Sequence, residues 1–158
     1  YNFQAYSKLL FRLHLANGLK TQFSHSTFVV VNPGVGCELP HEKLIFTGGK
    51  DDMDEAYDLV FYLDILREFA LTEKPPMLIK RHSHGAVYHD NYLYVIGGFD
   101  ATDDPAFLSL CERFDVTNEK WEGLESLPEE CYAPSVIVLE ETSCLYALGG
   151  INENQMID

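Results

Sequence analysis

One dipeptide occurs three times at nearly even spacing, and this repetition limits what the chain can fold into. Gly48-Gly49, Gly97-Gly98 and Gly149-Gly150 begin 49 and 52 residues apart. Each ends a short apolar run: Leu44-Ile45-Phe46, then Leu93-Tyr94-Val95-Ile96, then Leu145-Tyr146-Ala147-Leu148. A period near fifty residues means that one supersecondary unit is used repeatedly, each copy burying its apolar face against the next. Glycine suits the end of such a run, because two backbones approach closely there and no Cβ intrudes.

The intervening residues read as short strands. Tyr92-Leu93-Tyr94-Val95-Ile96 follows a turn at His89-Asp90-Asn91, which follows a first strand from His84 to Tyr88. After Gly97-Gly98 comes a polar loop over 99–105. A third strand over 108–115 follows, then a turn at Val116-Thr117-Asn118-Glu119 and a fourth strand opening with Lys120-Trp121-Glu122. The preceding unit reads the same way. Its first strand is the β-branched run Thr27-Phe28-Val29-Val30-Val31, and a loop passes through Pro40 to a second strand over 43–47. The acidic stretch 50–58 leads to a third strand over 59–64 and a fourth near Glu68-Phe69-Ala70-Leu71. Superposition puts Phe114-Asp115 on Leu63-Asp64 and Trp121 near Phe69. At the C-terminal side the unit restarts, with strands over 135–139 and 144–148. Near the N-terminus, residues 6–23 read as a strand pair joined at Asn17-Gly18, a strong hairpin signal. Leu13-His14 then takes the Leu63-Asp64 position.

Charge narrows the partners. The formal net charge is −14, from 25 acidic and 11 basic side chains. At long range this repels nucleic acid and anionic lipid and favours basic protein surfaces. No apolar stretch approaches the roughly 20 residues of a membrane-spanning helix. Cys37, Cys111, Cys131 and Cys144 lack Cys-x-x-Cys spacing and are too sparse for a disulfide scaffold, so they read as reduced thiols in the cytoplasm. A chain opening on Tyr1 reads as a fragment or a processed chain.

The ordered features Arg81-His82-Ser83-His84-Gly85-Ala86-Val87, Leu93-Tyr94-Val95-Ile96-Gly97-Gly98, Phe114-Asp115, Asn118, Trp121 and Leu127-Pro128 resemble the kelch repeat. The resemblance is looser in the first unit and rests on Leu145-Tyr146-Ala147-Leu148-Gly149-Gly150 in the last. It implies an all-β chain, a kelch-type β-propeller built as an incomplete arc of about three four-stranded antiparallel blades. Its parts are 1–24 (second half of a blade), 25–79 (a blade), 80–128 (a blade) and 129–158 (first half of a blade). A ring of three blades is too small to close with normal strand twist. Completion by further parts of the same protein or by another chain is therefore expected. Trp121 is expected to pack one blade on the next.

Function is expected in loops on this scaffold. The resemblance implies a non-catalytic protein–protein interaction module docking to partners in a larger assembly. Two other readings stand beside it: the substrate-recognition propeller of a BTB-kelch ubiquitin-ligase adaptor, and a kelch-like metal-dependent enzyme. Candidate partner-binding residues lie between blades (Arg81, His82, Ser83 and Tyr132) and after the double glycines (Asp51, Asp52, Asp100, Asp103 and Asp104). Arg81 would pair with a partner's acid or brace the neighbouring blade, and Arg81 and Ala133 are read as matching positions. His82 and His84, two apart, would face one way on a strand, but supporting ligands are absent nearby, so the reading assigns no metal. The acidic loops lack the order of a calcium loop, and no nucleotide, zincin or serine-hydrolase motif occurs, so no cofactor is assigned.

Overall fold

The computed structural model describes residues 9–13, 20–24, 35–51, 53–67, 70–101 and 106–152. The chain divides into two units, Tyr1–Val30 and Val31–Asp158. In the first, strands β1 (Leu9–Leu13) and β2 (Lys20–Ser24) pair antiparallel, with Leu13 opposite Lys20. The strand pair expected there is present, while its turn at Asn17-Gly18 lies outside the described residues.

The second unit is β-structure in successive blades. Strands β3 (Val35–Leu39), β4 (Lys43–Thr47), β5 (Val60–Asp64) and β6 (Ala70–Lys74) form one antiparallel sheet in that order. Strands β7 (Gly85–His89) and β8 (Tyr92–Ile96) are followed by a two-residue pair, β9 (Phe99–Asp100) with β10 (Ala106–Phe107). Strands β11 (Cys111–Asp115) and β12 (Lys120–Gly123) complete the second blade in the order β7, β8, β11, β12. A further pair, β13 (Ser135–Leu139) with β14 (Cys144–Leu148), ends the described strands. This is the all-β, kelch-type arrangement expected from the repeat.

Several elements differ from the sequence reading: the loop expected over 99–105 opens with β9, β12 stops at Gly123, and three further differences have a clear physical reason. Residues 35–39, read as loop, are the strand β3 that pairs with β4, and the run 27–31 lies outside the described residues. The partner of β4 is set by a tight turn at Pro40-His41-Glu42, with φ of 65° at His41 and 53° at Glu42. Hydrophobicity alone carries no pairing information, and Gly36 weakens the strand signal. That glycine leaves room for the Phe46 ring, 3.0 Å from where its Cβ would be. Second, β11 opens at Cys111 rather than at 108. The preceding residues turn back: Leu108 N–H donates to Gly98 O at 2.9 Å and Leu110 O accepts from Gly97 N–H at 3.2 Å. Third, the residue matching Trp121 is Leu71. Trp121 pairs across the sheet with Phe114, and Leu71 pairs with Leu63. Phe69 itself lies outside the described residues.

The superposition of Leu63-Asp64 on Phe114-Asp115 holds in detail. Asp64 Oδ1 accepts the N–H groups of Leu66 and Arg67, and Asp115 Oδ1 accepts those of Thr117 and Asn118. Each acid closes the turn after the third strand by bonding its own backbone two and three residues on. Between the two four-stranded sheets lies the core, with Leu39, Ile45, Val60 and Tyr62 from the first blade and Leu93, Val95, Phe114 and Trp121 from the second. The Trp121 ring lies 5.0 Å from that of Phe114, and its Nε1–H donates to Pro75 O at 2.9 Å. Pro75 belongs to the linker between the blades, so Trp121 joins them as expected.

The double glycines join the blades as well. Gly49 N–H donates to Arg81 O at 3.0 Å, and Gly98 N–H donates to Cys131 O at 2.8 Å. Gly48 and Gly97 hold φ of 59° and 62°, and a Cβ there would stand 2.3 Å from Arg81 O and 2.2 Å from Cys131 O. Each pair therefore bonds to the chain entering the next blade, across a gap that admits no side chain. On the last strand pair the matching residues stay open: Tyr146 is 39% and Leu148 52% exposed, whereas Ile45 and Ile96, at the same positions of β4 and β8, are buried.

Candidate partner-binding site

The residue after the second and the third double glycine pairs with the segment that leads into its blade, while Lys50, after the first, bridges Ala56 in its own loop. Phe99 and His82 exchange both backbone hydrogen bonds at 3.0 Å. Ile151 and Tyr132 do the same, at 2.8 and 2.9 Å. The two loop sets expected to carry function, between blades and after Gly-Gly, are thus laced together at one end of the sheets. There they surround an open cavity of about 330 Å³. Lys50 and Asp54 come from the loop after Gly48-Gly49. His82, Phe99 and Phe107 come from the second blade, and Tyr132 and Ile151 from the last strand pair.

Aromatic rings form the body of this site. Phe99 meets Phe107 edge-on with centroids 5.3 Å apart, and Phe107 meets Tyr132 edge-on at 5.9 Å. His82 lies 5.4 Å from Phe99 and 6.1 Å from Tyr132. Such edge-to-face contacts fix ring orientation as well as burying area. A short polar chain crosses the cluster: Ser83 Oγ lies 3.1 Å from His82 Nδ1 and donates to Tyr132 Oη at 3.1 Å. Ser83 sits at φ 49°, which ends strand alternation and turns its hydroxyl between the two rings. Burial lowers the His82 pKa, and the neighbouring Lys50 charge lowers it further. The imidazole is therefore neutral at pH 7.

The loop on the rim of the first blade is held by its own acid. Asp51 Oδ1 accepts the N–H groups of Met53 and Glu55 at 2.8 and 3.0 Å, and Oδ2 accepts from Tyr57 Oη at 3.0 Å. Partial burial and this bond to Asp51 push the Tyr57 phenol up to about 12. Lys50 is ion-paired to Asp54.

Comparison with known proteins identifies the repeat. The Kelch motif family matches residues 80–128. Kelch-like protein 40 of Mus musculus is 31% identical over 113 residues, covering 71% of this chain and 17% of that protein. Kelch-like protein 38 of Homo sapiens is 33% identical over 75 residues, covering 48% of this chain and 12% of that protein. The chain is a kelch-repeat protein. It spans under a fifth of the length of these curated relatives. The structure of YjhT shares the fold at a TM-score of 0.79 and 13% identity, over 94% of this chain and 47% of that one.

Within this kelch arrangement the candidate residues separate. His82, Ser83 and Tyr132 come together at the cavity. Arg81 does not face a partner: it is fully buried, and this corrects its reading as a docking residue. Its Nη1 donates to Gly97 O at 2.7 Å and Leu110 O at 2.8 Å, and its Nη2 meets Glu112 Oε1 at 2.8 Å. Glu112 Oε2 also accepts from Leu78 N–H. Bracing the blade is what this arginine does, because an inward-facing guanidinium reaches carbonyls that no shorter side chain reaches. The blade-to-blade match of Arg81 is Cys131, not Ala133. Cys131 Sγ bonds Gly149 O as Arg81 bonds Gly97 O, and Ala133, at φ 55°, matches Ser83.

The acidic candidates divide too. Asp51 is engaged in shaping its loop, and half-buried Asp100 lies in β9 beside Phe99. Asp52, Asp103 and Asp104 lie outside the described residues. His82 and His84 do not share a strand face, because Ser83 breaks the strand and β7 begins at Gly85. His84 is buried with Nε2 2.8 Å from Thr47 Oγ1. Burial, then the Arg81 and His82 charges, drive its pKa down to about 3. Among the described residues no three His, Cys, Asp or Glu side chains gather as a metal site. Sequence reasoning passed over Lys50, Phe107 and Ile151. The signal for two of them was present, since Lys50 and Ile151 directly follow a double glycine as Phe99 does.

Proposed function

We propose that this kelch arc is a non-catalytic protein-docking module whose partner is gripped at the loop end, over the cavity of His82, Phe99, Phe107 and Tyr132. The observation that carries this reading is convergence. The residues after all three double glycines, Lys50, Phe99 and Ile151, line one aromatic cavity with the linker residues His82 and Tyr132. Aromatic side chains fixed by edge contacts, on loops held by a rigid scaffold, are the anchors typical of protein interfaces.

Docking fits the polar groups better than hydrolysis. Ser83 Oγ is shared between His82 Nδ1 and Tyr132 Oη, each at 3.1 Å, inside a cluster of rings that suits an anchoring side chain. The protein is assigned to the cytoplasm. In support, Cys37, Cys111, Cys131 and Cys144 are all free, and among the described residues no helix is long and apolar enough to cross a membrane. Residues 1–24 are taken as the second half of a blade, with further blades of the same protein or another chain completing the propeller.

The test is comparative capture. The chain and its Tyr132→Ala variant are immobilised and exposed to matched cell extract, and bound proteins are quantified by mass spectrometry. A defined set of proteins should be retained by the first and lost by the second. Identical retention by both would place docking elsewhere and reject this reading.

A further inference from the structure

The cavity walls and the loops beside them differ in chemistry. The floor is aromatic, formed by Phe99, Phe107 and Tyr132, whose rings touch each other at centroid distances of 5.3 to 6.3 Å. At such distances a ligand fits over the rings and not between them, so the floor is a platform rather than a cage. Ile151 extends it outward at 40% exposure, and Met53, at 89%, stands on the loop beside Asp54. The volume, about 330 Å³, lies at the lower end of ligand pockets, which suits one large side chain better than a cofactor. Among the described residues Lys50 is the one cation lining the cavity; it is ion-paired to Asp54, and its hydrocarbon stem adds to the apolar wall.

The flanks are strongly acidic. Residues 50–58 hold five acids against Lys50, and residues 100–104 hold three acids and no base. Of these, Lys50 and Asp54 line the cavity, and Asp100 follows Phe99 in β9. Among the described groups near the rim, Lys80 is taken up by Glu55 at 3.8 Å. The whole chain reinforces the sign, with a net charge of −14. An apolar floor beside an acidic loop favours an occupant with an apolar centre and positive neighbours.

We infer that the cavity takes one aromatic or large aliphatic side chain from a partner protein segment whose neighbouring residues are lysine or arginine. This rests on the docking reading above and specifies its occupant. The apolar side chain lies across Phe99, Phe107 and Tyr132 and supplies most of the affinity. The basic neighbours are drawn by Asp54 on the cavity wall and by Asp51, Glu55 and Asp58 on the same loop, and supply association rate and selection against acidic segments. Tyr132 Oη, which accepts from Ser83, keeps its own hydrogen for a backbone carbonyl of the segment.

The experiment is selection of random short peptides displayed on phage against the full 158-residue chain. Enriched peptides are then synthesised and measured by fluorescence polarisation. The expected peptides carry one aromatic or large aliphatic residue with lysine or arginine within a few positions. Replacing that apolar residue by alanine, or Tyr132→Ala or Phe107→Ala in the protein, should each weaken binding by roughly tenfold or more, and added salt should weaken it further. Both protein variants are checked by the unfolding transition of Trp121 fluorescence, so that loss of binding is separated from loss of fold. Enriched peptides that are acidic or lack an apolar anchor, but still need Tyr132 or Phe107, would leave loop-end docking standing and overturn the occupant. Binding indifferent to both substitutions, or no enrichment at all, would overturn the occupant and the site together.

Discussion

Arg81 and Glu112 form an ion pair of 2.8 Å in which neither side chain is open to water. Burial lowers the Arg81 pKa and raises that of Glu112, so desolvation works against both charges, while their attraction and hydrogen bonds oppose it. The pair is worth most as an arrangement that cannot lose one member. Arg81→Met should destabilise the chain by about 3–5 kcal/mol, since Glu112, Gly97 O and Leu110 O all lose a donor. Adding Glu112→Gln should recover part of that loss, because the unpaired charge is gone and an acceptor for Leu78 N–H remains. Urea denaturation of both variants checks this. A double variant no more stable than Arg81→Met alone would contradict the account.

A second prediction concerns Gly97. Any Cβ there would stand 2.2 Å from Cys131 O at a φ of 62°. Gly97→Val combines a backbone clash with a conformation that β-branched residues avoid, and should cost more than about 3 kcal/mol or abolish folding. Gly123→Ala is the control, since nothing stands within 4 Å of that site. It should leave thermal stability nearly unchanged. Equal midpoints for Gly97→Val and the parent chain would remove the blade-joining role from the double glycine.

Trp121 is the one tryptophan in the chain, so its fluorescence reports directly on the joint between the two blades. Trp121→Phe keeps most of the ring area and loses the bond to Pro75 O, and should cost about 1–2 kcal/mol. Trp121→Ala also opens a cavity in the core and should cost about 3–5 kcal/mol. The order of the two losses, read by circular dichroism on heating, is the check.

His84 sets a pH dependence. Its folded pKa is lowered to about 3 from an ordinary value of 6.5, chiefly by burial. Above pH 6.5 it is neutral folded and unfolded, so it has no pH-dependent effect. Between 6.5 and 3 the unfolded chain takes up the proton and the folded chain does not. Stability should fall with decreasing pH across that window by up to about 1.4 kcal/mol per unit. Glu112, whose pKa is raised, opposes this in part. His84→Gln should flatten the slope of the urea midpoint between pH 7 and 4.5. A slope unchanged by that substitution would show that His84 is not its source.

The elements legible in advance share one property, which is locality. β8 and β14 are bounded to the residue by a polar turn before them and a double glycine after them, and β13 by the polar turn at 140–143 that follows it. The turn acids Asp64 and Asp115 bond backbone only two or three residues ahead. By contrast β3 was missed, because its strand character depends on pairing with β4 and on the Phe46 ring filling the space that Gly36 leaves.

The repeat and its double glycines are determined by the sequence alone, while the reason for glycine there, a Cβ that would stand 2.3 Å from Arg81 O or 2.2 Å from Cys131 O, is set by the next blade. Tertiary structure decided the direction in which side chains at one loop point. Adjacent in sequence, Arg81 turns to Glu112, 31 residues on, and His82, also buried, turns to the aromatic cluster and meets Tyr132, 50 residues on. Nothing local distinguishes them. The cavity exists only because three successive units bring equivalent positions to one end, where packing between blades, rather than composition, determines which groups are buried as braces and which line the cavity.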